Sequence, residues 1–302
     1  MMYVPDFVAL YEIKPFIIMA LDNETIRVAV KDYLEGGEKR DSIIKKYGKI
    51  EDWNTTEVTD MSVLFCHDMN FNEDISKWDV SNVTTMYGMF CEAFNFNQPI
   101  GEWDTSNVID MGCMLMRAYK FNQPICGWDT SKVTDMRHMF HNAESFNQPI
   151  GEWDTSKVTD MDDMFDCAAS FNQHIGEWDV SNVTTMSHMF YIARDFNQPI
   201  GEWDTSKVTD MDDMFDHAVS FNQPIGEWDV SNVTTMSHMF ACARSFNQSI
   251  GDWDVSKVTD MSGMFHCNDG FDQDIRDWDT SNVTNMDSMF YKALKFNPEN
   301  AP

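Results

Sequence analysis

Residues 175–199 read IGEWDVSNVTTMSHMFYIARDFNQP, and variants of this 25-residue phrase follow one another from about residue 50 to residue 299. All ten tryptophans keep the spacing, from Trp53 and Trp78 through to Trp253 and Trp278. A fixed period of this length is the signature of stacked repeats, in which each unit is completed by its neighbours. Within the phrase, Trp178 and Val180 alternate with Asp179, as in a short strand. Val183, Met186, Met189, Phe190 and Ala193 recur at three and four, as in one or two helical turns. The sequence therefore predicts an α/β repeat solenoid with a short parallel strand and a short helix in each coil. Ile175, Trp178, Val183, Met186, Met189, Phe190, Ala193 and Phe196 form its inward set. Methionines at this spacing in every repeat are read as flexible core filler, not as soft-metal ligands.

Residues 1–49 do not fit the repeat and carry helix signals. ETIRVAVKDYLE, residues 24–35, has apolar Ile26, Val28, Val30 and Leu34, with Asn23 as the expected N-cap and Gly36-Gly37 as the stop. A second helix is expected over 41–47, ending at Gly48. The organisation is thus a helical N-terminal cap (1–49), a ten-repeat solenoid (50–299) and a short tail (300–302). The apolar run Phe16 to Leu21 is short and follows Glu12, Lys14 and Pro15, so no secretory leader is expected. No stretch approaches the ~20 apolar residues of a membrane span.

Polar positions of the phrase also recur. The Asn after Phe, at Asn97, Asn122, Asn147, Asn172, Asn197, Asn222 and Asn247, is expected to form a ladder whose amides bond backbone in adjoining coils. Proline after Gln, as at Gln198-Pro199, holds the approach to the strand extended. Residues 150–199 and 200–249 are identical at 43 of 50 positions, which implies duplication of a two-repeat unit. Lys132, Lys157, Lys207 and Lys257 each precede an aspartate by three residues, a spacing explained by ion pairing or by copying history. The Asn-Val-Thr sequons at Asn82 and Asn182 are by-products of the repeat, with Val83 and Val183 pointing inward.

Fifty acidic against 21 basic residues give a net charge of −29. Phosphate backbones and anionic lipid are repelled by such a chain, so nucleic acid and membrane surfaces are poor partners, and basic proteins or cations better ones. Seven cysteines lack a CxxC pair and a frame common to all repeats, which excludes a disulfide scaffold or zinc-finger reading. Two pairs share a repeat position, Cys66 with Cys91 and Cys242 with Cys267; the reduced, space-filling reading is preferred to a bond between coils.

The phrase WDVSNVTTM, followed by MF, a small residue and FNQ, closely resembles the BspA-type leucine-rich repeats of mycoplasma surface lipoproteins and of giant-virus and protist proteins. DNETIRVAVKDYLEGG and IIKKYGKI resemble the segment that precedes such repeats in the giant-virus and protist members. The resemblance implies a leucine-rich-repeat-like solenoid with Ile175, Trp178, Val180 and Val183 at the consensus apolar places. The lipoprotein signal of the mycoplasma members has no expected counterpart, so surface anchoring does not carry over. The expected location is cytoplasmic or virion-associated.

An aspartate follows every tryptophan but the first: Asp79, Asp104, Asp129, Asp154, Asp179, Asp204, Asp229, Asp254 and Asp279, with Asn54 in the first coil. At a stacking distance of ~5 Å, neighbouring carboxylates repel by roughly 0.8 kcal/mol even in water-like dielectric. Each can serve as the acceptor of an Asx-turn with the serine two residues on, and its outer oxygen remains open to a partner. These nine are the candidate partner-binding residues. A second column, His138, Asp163, His188, Asp213 and His238, is read as solvated pairing that follows the duplication, with no metal ligand assigned. No nucleophile, base and oxyanion donors converge, so no enzyme activity and no cofactor are expected. The leading expectation is a scaffold binding a basic protein partner through the acidic strand-lined face, with weak divalent cation binding there. Its rival is a structural or adhesive protein that assembles end to end through the C-terminal coil.

Overall fold

The computed structural model describes residues 19–302; Glu12, Lys14, Pro15 and the start of the 16–21 run lie outside the described residues. Two helices open it, α1 (Asn23–Glu35) and α2 (Gly37–Tyr47), followed by a 3-10 turn at Ile50–Asp52. Ten coils follow, and a second 3-10 turn, Pro298–Asn300, folds back so that its Asn300 carbonyl accepts from Ile275 N at 3.1 Å. No helix of the described residues is long and apolar enough to cross a membrane.

The repeat differs from the strand-plus-helix reading. Each coil is built of successive turns and contributes one residue to a parallel bridge with the next, as in Asp160, Thr185, Asp210 and Thr235. The backbone bonding shows why. Met186, His188, Phe190 and Ile192 donate to the carbonyls of Asp210, Asp212, Met214 and Asp216 in the following coil at 2.8–3.1 Å, while Met189, Tyr191 and Ala193 donate three residues back. Alternate N–H groups thus serve the neighbour and the residue's own turn. This needs a left-handed residue ten and fourteen positions after each tryptophan. His188 (φ 54°) and Ile192 (φ 56°) are such a pair, and Gly88 and Gly263 occupy the first of these places in other coils. A true helix would turn every N–H inward along its own axis and leave the coils unjoined. The three-and-four spacing of the methionines and Phe190 comes from overlapping turns.

The inward set is as the sequence predicts. Ile175, Trp178, Val183, Met186, Met189, Phe190, Ala193 and Phe196 are all buried, and so are their apolar counterparts in the first nine coils, while in the tenth Val283, Phe290 and Phe296 are partly buried and Met286 is 37% exposed. Phe190 and Phe196 stack at 3.9 Å between ring centroids, and Phe190 lies 5.7 Å from Phe165 and 5.6 Å from Phe215. A double column of phenylalanine, interrupted by Leu115 in the third coil, runs through the core beside one of tryptophan. Trp178 donates from Nε1 to the Ile150 carbonyl at 3.1 Å, and the same bond recurs in seven further coils that follow the first. Trp103 is the exception, its Nε1 buried without a partner.

The Asn ladder forms as expected. The Asn172 side-chain oxygen accepts from Asn197 N at 3.0 Å and from Gln198 Nε2 at 2.8 Å, and Asn172 N donates to Asn147 Oδ1 at 3.0 Å. The lysines do not pair with the aspartate three residues on. Lys132, Lys207 and Lys257 reach sideways to the side-chain oxygens of Asn107, Asn182 and Asn232 at 2.6–2.7 Å. Coil-to-coil contact therefore decides this position. The seven cysteines are free.

At the N-terminal end α1 and α2 close the stack. Asp22, not Asn23, caps α1, its Oδ1 accepting from Glu24 N and Thr25 N. Asn23 instead continues the coil ladder: its Oδ1 accepts from Thr59 N at 2.8 Å, where Thr84 N in the next coil meets the Thr59 carbonyl. One side chain thus substitutes for the carbonyl of a preceding coil. The buried face of α1 is Ile26, Ala29, Val30 and Tyr33, while Val28 is 59% exposed. Tyr33 meets Trp53 edge-on at 5.8 Å and ends the tryptophan column. α2 starts four residues earlier than the sequence predicts, because Gly36 (φ 80°) turns the chain and leaves Gly37 free to begin the helix.

Candidate functional site

The nine column aspartates lie where the sequence places them, exposed beside an inward tryptophan. Every one forms the expected Asx-turn, with Oδ1 accepting from the serine amide two residues on at 2.9–3.1 Å. Serine donors hold Asp104, Asp129, Asp154, Asp204, Asp254 and Asp279 below the usual carboxylate range. The turn donors therefore outweigh the repulsion between stacked carboxylates, which dilutes with exposure. Asn54 makes the same turn with Thr56 N at 3.2 Å, so the geometry needs the oxygen and not the charge.

A second acid stands on the other side of the tryptophan. Glu152, Glu177, Glu202, Glu227, Asp252 and Asp277 are exposed in six consecutive coils. In those coils Trp points inward and both neighbours point out, giving two parallel acidic rows. Glu177, Glu202 and Glu227 line a shallow surface groove with His174, Pro199 and Pro224. Sequence reasoning registered only the aspartate row; the glutamate row is legible in GEWD once tryptophan is known to be inward.

The histidine–aspartate column is not a solvated row. It occupies the first left-handed position, at His138, Asp163, His188, Asp213 and His238, and joins residues that the sequence reading missed. His138 Nδ1 lies 3.5 Å from Asp163 Oδ2, and His141 Nδ1 lies 3.8 Å from Asp163 Oδ1 and 2.8 Å from Asp166 Oδ2. Asp166 is only 7% exposed. In the duplicate, His188 Nε2 lies 3.4 Å from Asp213 Oδ2, and His217 Nδ1 contacts Asp216 at 2.6 Å. Burial pushes Asp162 and Asp216 up to about 6, and burial with the neighbouring His141 lowers His138. The missed residues sit one before and three or four after the column, in HMFH (138–141) and DDMFD (162–166, 212–216).

Ser187 Oγ lies 2.8 Å from His188 Nδ1, which with Asp213 forms a serine–histidine–carboxylate line. It has no means to stabilise an oxyanion from its own backbone. The N–H groups of His188, Met189, Phe190 and Tyr191 are all engaged in the turns and the coil ladder.

Coils that complete one another's core and backbone bonding define a stacked-repeat solenoid protein. The chain matches the family described as Mycoplasma protein of unknown function, DUF285, over residues 39–150, 124–226 and 214–301, and belongs to that family. No curated protein matches. Among solved structures, one titled as the crystal structure of a TLR13–ssRNA13 complex is similar at 8% identity, over 65% of this chain and 35% of that one, with a TM-score of 0.22. The chain thus spans about a third of the length of that structure.

Proposed function

We propose that the chain is a non-catalytic scaffold that recognises a basic protein segment along its acidic face. The observation that carries this reading is the pair of carboxylate rows flanking the inward tryptophans from Trp153 to Trp278. Rows of one sign on an extended surface steer and select partners of the opposite sign. The BspA-type, leucine-rich-repeat-like resemblance supports the same use, since solenoids bind through long continuous faces. The commitment of the backbone N–H groups to the coil ladder supports the absence of catalysis. Divalent cations are the weaker ligand of the aspartate row, because Oδ1 is already engaged by serine. A melting temperature unmoved by millimolar calcium removes them from the reading.

The test uses the substitution that coil 1 already contains. Asp→Asn at 154, 179, 204, 229 and 254, with Glu→Gln at 152, 177, 202 and 227, removes nine charges while keeping the Asx-turn acceptors. Binding to an array of lysine- and arginine-rich peptides is expected to be salt-dependent in the parent and lost in the variant. Equal binding by a folded variant refutes the assignment. A second reading, self-association, is favoured by the outer surface of the tenth coil, where Tyr291 is 54% and Leu294 78% exposed. Growth in mass with concentration, followed by light scattering, supports it, and a constant 35.0 kDa species refutes it.

A further inference from the structure

We propose that His138, His141, Asp163 and Asp166 form a binding site for one divalent transition-metal ion of the zinc class. Residues equivalent by the 25-residue repeat face one another across adjacent coils, which sets His138 over Asp163 and His141 over Asp166. The ligand atoms of His138, His141 and Asp163 all lie within 4.8 Å of one another. The imidazole–carboxylate separations of 2.8–3.8 Å bracket the spacing between ligands of a tetrahedral zinc, about 3.3 Å for bonds of 2.0–2.1 Å. Two imidazoles with carboxylates favour zinc, copper or nickel over calcium and magnesium, which prefer oxygen alone.

A second observation points to a ligand. Asp166 is more than nine-tenths buried, and its Oδ1 has no hydrogen-bond partner. His141 Nδ1 is buried 2.8 Å from Asp166 Oδ2 and is also without a hydrogen-bond partner. Burying polar atoms unpartnered is destabilising. A cation between the two coils satisfies both, and offsets the mutual repulsion of Asp163 and Asp166.

The duplication supplies an internal comparison. Fifty residues on, His188, Asp213 and Asp216 repeat three of the four groups, but Tyr191 stands where His141 does. Tyrosine is therefore accommodated at this place in the coil, and His141→Tyr removes a ligand without asking the fold for anything new. The reverse change, Tyr191→His, completes the second set.

The full chain, stripped with a chelator, is titrated with zinc chloride by calorimetry. His141→Tyr is expected to remove one bound equivalent, with affinity for that equivalent falling at least about 100-fold, more than the 10–100-fold typical of an outer-shell change. Tyr191→His is expected to add one. Cobalt in place of zinc reports the donor atoms, and this site gives visible bands without thiolate charge transfer. Zinc binding that is absent, or undiminished in His141→Tyr, overturns the proposal, as does a failure of Tyr191→His to add an equivalent. Thiolate charge transfer that persists while His141→Tyr changes nothing also overturns it, and assigns the ion to Asp216, His217 and Cys242, whose ligand atoms are likewise within 4.8 Å.

Discussion

Replacing Asn172 by alanine removes one rung from the ladder that joins coils four, five and six. The Asn197 amide loses its acceptor at 3.0 Å and Gln198 Nε2 loses one at 2.8 Å, while the Asn172 backbone keeps its own bond to Asn147. Gln198 Nε2 also donates to the Asn172 carbonyl at 3.1 Å, so its loss is partial. Asn197 N is part-buried beneath the next coil and has no second acceptor. One orphaned amide costs about 1–3 kcal/mol and a half-lost amide bond about 0.5 kcal/mol, so the expected total is roughly 2 kcal/mol. Asn172→Asp behaves differently, because Asp272 holds the same place naturally, its Oδ1 accepting from Asn297 N at 2.8 Å. That change keeps the acceptor and is expected to cost under about 1 kcal/mol, mainly through added charge. Long repeat arrays need not unfold in one step, so the measurement is amide hydrogen exchange at Asn197 alongside urea unfolding. Protection at Asn197 should fall by about 30-fold in the alanine variant and remain near the parent in the aspartate variant, by the conversion of 1.4 kcal/mol per tenfold. Equal loss in both variants, or no loss in either, refutes the ladder as a source of stability.

Phe190→Ala removes a ring packed against Phe165, Phe196 and Phe215 and should destabilise by about 3–5 kcal/mol, read from the urea midpoint; a loss near 1 kcal/mol would mean the column repacks. Asn23→Ala leaves Thr59 N and Asp60 N, now bonded at 2.8 and 3.1 Å, without their acceptor, so exchange at residues 59 and 60 should accelerate while that of central coils is unchanged. For pH, the sign follows from two opposed sets of aspartates. Asp162 and Asp216, held at about 6 by burial, bind protons more tightly when folded, so without metal their contribution grows as pH falls from 7 through 6. The turn aspartates such as Asp104 and Asp154 are depressed, so their contribution is present above the ordinary carboxylate range and lost as pH falls through their folded values. Maximal thermal stability is therefore expected at mildly acidic pH, near about 5, and a melting temperature that rises steadily from pH 5 to 8 contradicts this balance.

The core of every coil was legible because ten copies average out chance: a position apolar in all of them, such as that of Trp178 or Phe196, points inward. The backbone path was not. Side chains at three-and-four spacing share a face on a helix, but they do so equally on overlapping turns reset by a left-handed residue. The signal that separates the two was present in Gly88, Gly263 and Asn142, residue types tolerant of positive φ at the two frame positions where the turns demand it. It was diluted by Ile192, Cys242 and His188 at the same places, side chains that the ladder bonds hold left-handed against their own preference. The Asx-turns were legible because Asp and Ser stand two apart in one coil. The lysine–asparagine contacts were not, because their partners are 25 residues away and no local spacing announces them.

Repetition also divides the two kinds of site by their origin. A residue needed to build a coil must recur in nearly all of them, as Trp, Phe and the Asx aspartate do, and the burial or bonding that each achieves accounts for its presence. The His138–His141–Asp163–Asp166 set does the opposite. It stands at positions where other coils carry Val63, Cys66, Gly88, Cys91, Cys113 or Ser288, so nothing in the coil's construction calls for imidazoles or carboxylates there. Placing Asp166 in a buried position whose Oδ1 finds no donor opposes folding, and the coil would close equally well over the cysteine found at Cys91. The chain thus carries a locally unfavourable arrangement that the repeat does not require. Such an arrangement is explained by what binds to it, and the acidic rows outside are explained the same way only for the outward glutamates, since the aspartates already have a structural task.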